Sequence, residues 1–322
     1  MPQPSRPAPR SPLPVIIDTD PGIDDTLALL LALRSPEIDL RGVSVTYGNT
    51  VLEHAHRNAV EILRHEHRRL PVAASARRPL KRPLAVALET HGESGLGHAQ
   101  LPPAGVVLDF AKTLIDLLRA QPAPVTLVTL GPATGLALAL RRDERLVREK
   151  VARHVAMIGN LRSPGNTTRF SEFNAWCDPE ALALVLAAEL PTEMVGLDVT
   201  RQVTLTGAAI ERLAAVPDPQ AHWLSDALRF YLEFHRRYDK FDGCVVHDVL
   251  PIAALIEPTV LRFEPLRVRV DLEDGDPRGR TRIDPDGARV SVATSVDPAP
   301  VRRLLIERVL PWLAPAGVRV AS

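Results

Sequence analysis

The segment Val15-Ile16-Ile17-Asp18-Thr19-Asp20-Pro21-Gly22-Ile23-Asp24-Asp25 decides how this chain is read. An apolar run enters a polar cluster, a Pro-Gly pair follows, and helical spacing resumes at Leu27, Ala28, Leu30 and Leu31. The run reads as a buried parallel strand; the helix after it begins near Asp24 and closes at Arg34-Ser35-Pro36. Helix capping does not account for four carboxylates within eight residues. An acidic group in a first helical turn contributes ~0.3–1 kcal/mol. Two carboxylates ~4 Å apart at an effective dielectric of ~20 repel by about 4 kcal/mol. Repulsion wins, and either raised pKa values or a bound cation must offset it. All-oxygen ligation favours a hard ion, Ca2+ or Mg2+, over zinc.

Outward from this turn, strand-like runs at residues 40–46, 71–73, 125–130, 155–158 and 194–197 alternate with helical periodicity at 51–64, 107–119 and 133–141. Further helices are expected after Asp178-Pro179, near 208–215 and 220–236, and after His247-Asp248. The pattern turns β-like at 266–272 and 289–293 before a last helix at 301–313. The alternation predicts an α/β fold with an open, mostly parallel central sheet flanked by helices, and a small β-rich segment near the C-terminus. No repeat or linker divides the chain. One domain is expected over residues 15–322, behind a proline-rich, flexible N-terminal arm at 1–14.

The 322 residues are 45% hydrophobic and 24% charged, which excludes wholesale disorder. Lys+Arg and Asp+Glu both number 39, so no global positive field recruits nucleic acid. Lysine occurs only at Lys81, Lys112, Lys150 and Lys240, a compositional bias towards arginine. Cys177 and Cys244 make neither a disulfide framework nor a zinc site and suit a reducing cytoplasm. No apolar run approaches membrane-spanning length. A cytoplasmic protein with no nucleic-acid or membrane partner is therefore expected.

The acidic segment resembles the N-terminal signature of the inosine–uridine-preferring nucleoside hydrolases, and the likeness extends from about residue 15 to the final helix. Val45-Thr46-Tyr47-Gly48-Asn49 is similar to a family segment bearing a ribose-binding asparagine, which falls on Asn49; the bland alternative is a Gly-Asn turn. His91, in His91-Gly92-Glu93-Ser94-Gly95, is implied on the base side of the pocket. Leu130-Gly131-Pro132-Ala133-Thr134 resembles a turn whose threonine carbonyl binds Ca2+, although Gly135 stands where asparagine is usual. Asn166, Glu172 and Asn174 match the family's ribose-binding block, and their side chains suit sugar hydroxyls. Asn160 stands where a smaller residue is commoner, without a reason visible in sequence.

The resemblance implies a Rossmann-like nucleoside hydrolase fold and cleavage of ribonucleosides to ribose and free base, in nucleoside salvage. Ca2+ is implied at Asp20, Asp25, the Thr134 carbonyl and Asp248. Asp20 is implied as the base acting on water, and His247 as facing the leaving base. Asp24, Asn49, His91, Asn166, Glu172, Asn174 and Asp248 are implied to bind substrate. An ordinary histidine pKa of ~6.5 suits proton donation by His247. Phe230, Tyr231, Phe234, Tyr238 and Phe241 cluster before His247; Phe230 and Phe234 read as core, and Tyr238 reads equally as core or as a base-stacking group. The family implies a homodimer or homotetramer and leaves purine against pyrimidine preference open.

Two rivals fit parts of the sequence. Asp18-Thr19-Asp20 after an apolar strand also matches an aspartyl-phosphate nucleophile of a Mg2+-dependent phosphatase, which needs a lysine at a later strand end. A non-catalytic nucleoside- or sugar-binding protein would keep the same acidic cluster.

Overall fold

The computed structural model describes residues 11–100 and 110–314. Most of the expected N-terminal arm, and the first residues of the helix expected at 107–119, lie outside them. β1 (Leu13–Thr19) leads into α1 (Ile23–Leu33), β2 (Ile38–Thr46), α2 (Leu52–His65) and β3 (Val72–Ala76). The short α3 (Leu88–His91) and α4 (Leu114–Arg119) precede β4 (Val125–Thr129), α5 (Thr134–Lys150) and β5 (Val151–Ala156). Next come α6 (Phe173–Cys177), α7 (Pro179–Ala187), β6 (Thr192–Met194) and α8 (Leu197–Thr200). An antiparallel pair, β7 (Thr204–Thr206) and β8 (Gly243–Val245), brackets α9 (Gly207–Ala214) and α10 (Pro219–Phe234). α11 (Val249–Ile256) is followed by β9 (Leu261–Val270), β10 (Thr281–Ile283), β11 (Ala288–Val296) and α12 (Pro298–Arg308).

The central sheet has nine strands in the order β10-β9-β11-β6-β5-β4-β1-β2-β3. It is parallel from β3 through β6 to β11, and antiparallel only where β9 and β10 join. The β-rich C-terminal segment is thus no separate unit: β11 pairs in parallel with β6 and extends the main sheet. The expected arm at 1–14 is also too long, because β1 already begins at Leu13. Strand order reverses at β1 and β4, and ligands bind outside the carboxyl ends of strands at such a switch point.

Pleating divides the core. Val15 and Ile17 face a cluster that includes α1, α10, α11 and α12, whereas Ile16 faces α4, α5 and α7. Helix α1 is buried along its whole length: residues 27–33 are apolar on every side, and the acidic first turn, Asp24 and Asp25, is buried with them. None of the helices among the described residues is long and apolar enough to cross a membrane.

Buried Asp178 ties three parts of the α5 side together. Its Oδ1 accepts from Ala181 N–H at 3.0 Å as the N-cap of α7; its Oδ2 accepts from Thr134 Oγ1 and Leu80 N–H, both at 2.8 Å. Asp178→Ala strands three donors and should lower unfolding free energy by about 3 kcal/mol or more, read from urea denaturation.

Candidate functional site

The floor of the site is the turn between β1 and α1. Gly22 precedes the helix, and a Cβ there would lie 2.6 Å from Asn49 Nδ2 and 2.7 Å from His91 Nδ1, so only glycine fits. Asp25 Oδ2 accepts from Gly22 N–H at 3.0 Å and from Asn49 Nδ2 at 2.6 Å, and its Oδ1 accepts from the Thr19 hydroxyl. Asp20 Oδ2 accepts from Asn49 N–H at 2.7 Å, where a Cβ on Gly48 would collide with the same oxygen. Asp24 Oδ2 accepts from His247 N–H at 3.1 Å, joining the start of α1 to the residues that open α11.

Asp24, Asp25 and Asp248 each present a carboxylate oxygen within 4.8 Å of the others, all buried. Burial and then the Asp25 charge push Asp24 up to about 8. The same two causes hold Asp20 and Asp248 far above the usual carboxylate range. Asp20 Oδ1 is buried without a hydrogen-bond partner. A set of hard oxygens that cannot all ionise unaided fits a divalent cation. Asp20 stands just outside the tightest triad, which contains Asp24 in its place. Asp18 points to the other face of β1, towards Ser44 and Ser75, where burial raises its pKa to about 6.

The pocket above this floor is lined by Asp24, Asn49, His91, Asn166, Glu172, Asn174, His247 and Asp248 among others, so eight expected positions meet at one cavity. Glu172 is more committed than its sequence reading implies. Its carboxylate accepts from Asn174 N–H and Gly159 N–H at 2.8 Å and from Ala175 N–H at 3.0 Å, while burial still raises its pKa. Asn174 Nδ2 donates to the carbonyls of Leu130 at 2.6 Å and Met157 at 3.0 Å, leaving Oδ1 for a ligand. Asn160 now has a role: Nδ2 donates to Ser163 and Phe170 carbonyls and Oδ1 accepts from Glu172 N–H, clamping the loop that carries Asn166.

Thr134 is not at the pocket wall. It is the first residue of α5, so its carbonyl belongs to the helical ladder, and its hydroxyl meets Tyr47 at 3.0 Å and Asp178 at 2.8 Å. Leu130, at the mouth of β4, lines the pocket instead.

The two expected histidines are neutral. His91 Nδ1 accepts from Ile23 N–H at 3.1 Å, so its ring proton sits on Nε2. Burial, with nearby His235, pushes His91 down to about 3. His247 Nδ1 lies 2.8 Å from Thr200 Oγ1, and burial likewise lowers it to about 3. The ordinary imidazole pKa expected for His247 therefore does not hold in this pocket.

A family model described as "Inosine-uridine preferring nucleoside hydrolase" matches residues 15–303. The chain belongs to this family. It is a ribonucleoside hydrolase, acting on N-glycosyl bonds. It is 38% identical over 277 residues to the pyrimidine-specific ribonucleoside hydrolase RihA of Enterobacter sp. (strain 638), covering 84% of this chain and 88% of that protein. RihA of Salmonella typhimurium (strain LT2) is 37% identical over 278 residues, with the same coverage. A plant nucleoside hydrolase, PpNRh1, superposes with a TM-score of 0.84 at 32% identity, covering 94% of this chain and all of that one. A purine-preferring ribonucleoside hydrolase from Gardnerella vaginalis gives 0.85 at 28%, covering 93% and 99%.

In this nucleoside hydrolase the far wall holds Tyr231, from the aromatic cluster noted in the sequence, together with two residues that sequence reading missed, His235 and Asp239; the three are spaced by four on α10 and the π-turn His235–Asp239 that continues it. That spacing was the available signal. Phe234 also lines the pocket, contrary to its reading as core, whereas Phe230 packs on His98. Tyr238 is 49% exposed, leans on Phe234 and is not among the lining residues.

Removing one charge from the triad should separate cation binding from folding. In chelator, Asp248→Asn should melt above wild type because the repulsion is relieved. A divalent cation at a hundredfold excess over its Kd should stabilise wild type by about 2.7 kcal/mol and the variant far less, read by calorimetry.

Proposed function

We propose that this ribonucleoside hydrolase uses Ca2+ and acts on pyrimidine ribonucleosides, with Asp20 as the base and His247 and His91 at the leaving group. The observation that carries the reading is the buried triad Asp24, Asp25 and Asp248 on the floor of a pocket whose wall holds both histidines. Pyrimidine preference rests on the curated relatives named pyrimidine-specific at 37–38% identity, against purine-named structures at lower identity. A Ca2+ ion held by Asp20, Asp25 and Asp248 would offset their mutual repulsion and supply a positive centre that orients water and sugar hydroxyls. The Leu130 carbonyl is a better neutral oxygen for this set than that of Thr134, because it sits at a strand end and keeps a second lone pair.

Water adds across the C1′–N bond: its hydroxyl goes to the anomeric carbon, keeping one proton, the other proton passes to Asp20, and the departing base gains one proton from the leaving-group side. Asp20 Oδ1, buried and unpartnered, takes the first proton. Asp24, Asn49, Asn166, Glu172 and Asn174 hold the sugar hydroxyls; Asn49 also steadies Asp25 through its amide, and Asn174 offers its fixed Oδ1. Polar groups already oriented by backbone contacts stabilise an oxocarbenium-like transition state without reorganising. His91, a neutral ring with its proton on Nε2, donates to the base side without carrying charge. Thr200 Oγ1, donating to His247 Nδ1, would set the same tautomer there.

The phosphatase alternative lacks its cation: no lysine lines the pocket among the described residues. Asp20→Asn should lower kcat on uridine or cytidine by about a thousandfold with circular dichroism unchanged, measured as reducing-sugar release. Turnover near wild type would remove Asp20 from the role of base. Chelation should abolish release and added Ca2+ restore it; Mg2+ restoring it equally would overturn the choice of ion.

A further inference from the structure

Between β6 and β7 the chain makes one helical turn, α8, that is tied to the pocket from two sides. Leu197 and Val199 are fully buried and anchor it in the core. A Cβ on Gly196 would lie 2.5 Å from the Gly159 carbonyl oxygen, and Leu197 N–H donates to that oxygen at 2.9 Å. The start of α8 is thereby stitched to the start of the loop 160–172. Asp198 Oδ1 accepts from Arg162 N–H at 2.7 Å and Ser163 N–H at 2.9 Å, and its Oδ2 accepts from Leu161 N–H at 2.8 Å. Arg201 Nη1 donates to the Pro164 carbonyl and Nη2 to the Gly165 carbonyl, both at 2.8 Å. The backbone of residues 161–165 thus hangs on two side chains, and the next residue is Asn166 at the pocket wall. Neither Asp198 nor Arg201 lines that pocket. On the same turn, Thr200 Oγ1 lies 2.8 Å from His247 Nδ1.

We infer that Asp198 and Arg201 are positioning residues for the reaction: they fix the backbone of residues 161–165 so that Asn166 meets the sugar. The inference rests on the proposed reading of Asn166 as a sugar-binding residue and adds the groups that aim it. A carboxylate accepting from three N–H groups and a guanidinium bridging two carbonyls make charge-assisted bonds, stronger than neutral ones. The loop contains no helix or strand, and Arg162, Pro164 and Asn166 are exposed. Asn160 holds its start and its end, and Asn166 Oδ1 accepts from Phe173 N–H at 2.9 Å; α8 holds the stretch between. Water reaches this surface and satisfies the freed backbone groups, so losing either side chain loosens the loop and leaves the core folded. Misplacing a binding group by ~1 Å costs up to about a hundredfold in rate. Because Asp198, Thr200 and Arg201 share one turn, the seat of the sugar and the orientation of His247 are set from the same piece of backbone.

The test measures kcat/KM by reducing-sugar release for a ribonucleoside and its 2′-, 3′- and 5′-deoxy analogues, in the uridine or inosine series, whichever is turned over. Wild type is compared with Asn166→Ala, Asp198→Ala, Arg201→Met and the double variant Asn166→Ala/Asp198→Ala. Asn166→Ala should lose activity on the ribonucleoside and lose least on the analogue lacking the hydroxyl that Asn166 holds. Asp198→Ala and Arg201→Met should each lose about tenfold or more with that same hydroxyl dependence. The double variant should fall within about threefold of Asn166→Ala alone, since a residue acting only through Asn166 has nothing left to position. Asp198→Asn should recover part of the loss, because one amide oxygen can still accept from both Arg162 and Ser163. It also carries the test, with Arg201→Met, if Asp198→Ala fails to fold. Equal losses on every analogue, or losses that multiply in the double variant, overturn the positioning role while the sugar reading of Asn166 stands. An Asn166→Ala variant without hydroxyl-dependent loss removes that reading and the positioning role with it.

Discussion

Repulsion between carboxylates that share one buried, poorly screened volume governs the architecture of this protein. Asp20, Asp24 and Asp25 arrive with the β1–α1 turn, and Asp248 arrives more than two hundred residues later at the head of α11. Left to themselves these groups would part. Backbone and side-chain donors hold them: Gly22 N–H and Asn49 Nδ2 on Asp25, Asn49 N–H on Asp20, and His247 N–H on Asp24. The last of these is the tie across the chain, and it depends on apolar α11 packing against the apolar body of α1 beyond its acidic first turn. Packing around α1 thus supplies the free energy that holds the acidic cluster together. A cation would relieve a strain that the fold has already arranged.

The same dependence explains which parts were legible in sequence. The strand, Pro-Gly turn and helix at residues 15–33 are local, and apolar period and turn chemistry specify them together. The partner segments around Asn49, Asn166–Asn174 and Asp248 were readable because their side chains are chemically distinctive and strand ends collect in one place. Long-range partners were not readable. The C-terminal β-segment joins β6, a pairing between strands almost a hundred residues apart that leaves no mark on either. The position of Thr134 away from the pocket was not legible, because a carbonyl carries no side-chain signature; Leu130, just after β4, lines the pocket instead. The role of Asn160 needed the fold of its own loop, and the depressed histidines needed the depth of the pocket. His235 and Asp239 were hidden because a pocket-facing stripe on an amphipathic helix has the same period as a core-facing one.

The two ends of the pocket differ in how much of their hydrogen-bonding capacity the protein has already used. On the floor, Glu172 spends three interactions on backbone amides, Asn174 both amide hydrogens on carbonyls, and Asn49 both on the aspartates. What remains is one carboxylate lone pair on Glu172 and the amide oxygen of each asparagine, held in fixed directions before any ligand arrives. Any substitution there breaks contacts to backbone groups, so that end tolerates little change.

The base end is built on other terms. His91 and His247 each have one nitrogen engaged and one open, and Asp239 has a half-exposed carboxylate. The π-turn that presents His235 and Asp239 ends in left-handed Lys240 and is followed by β8, which pairs with β7 outside the nine-stranded sheet. Exchanging a side chain on that turn alters the donors and acceptors that line the pocket without touching the aspartates or the amides that hold them. On the proposed reading, chemistry at the anomeric carbon and recognition of the base are separated in space and in energetic cost. A constant reaction with a variable base preference is what such a division permits, and the relatives named for pyrimidine and for purine substrates share the first while differing in the second.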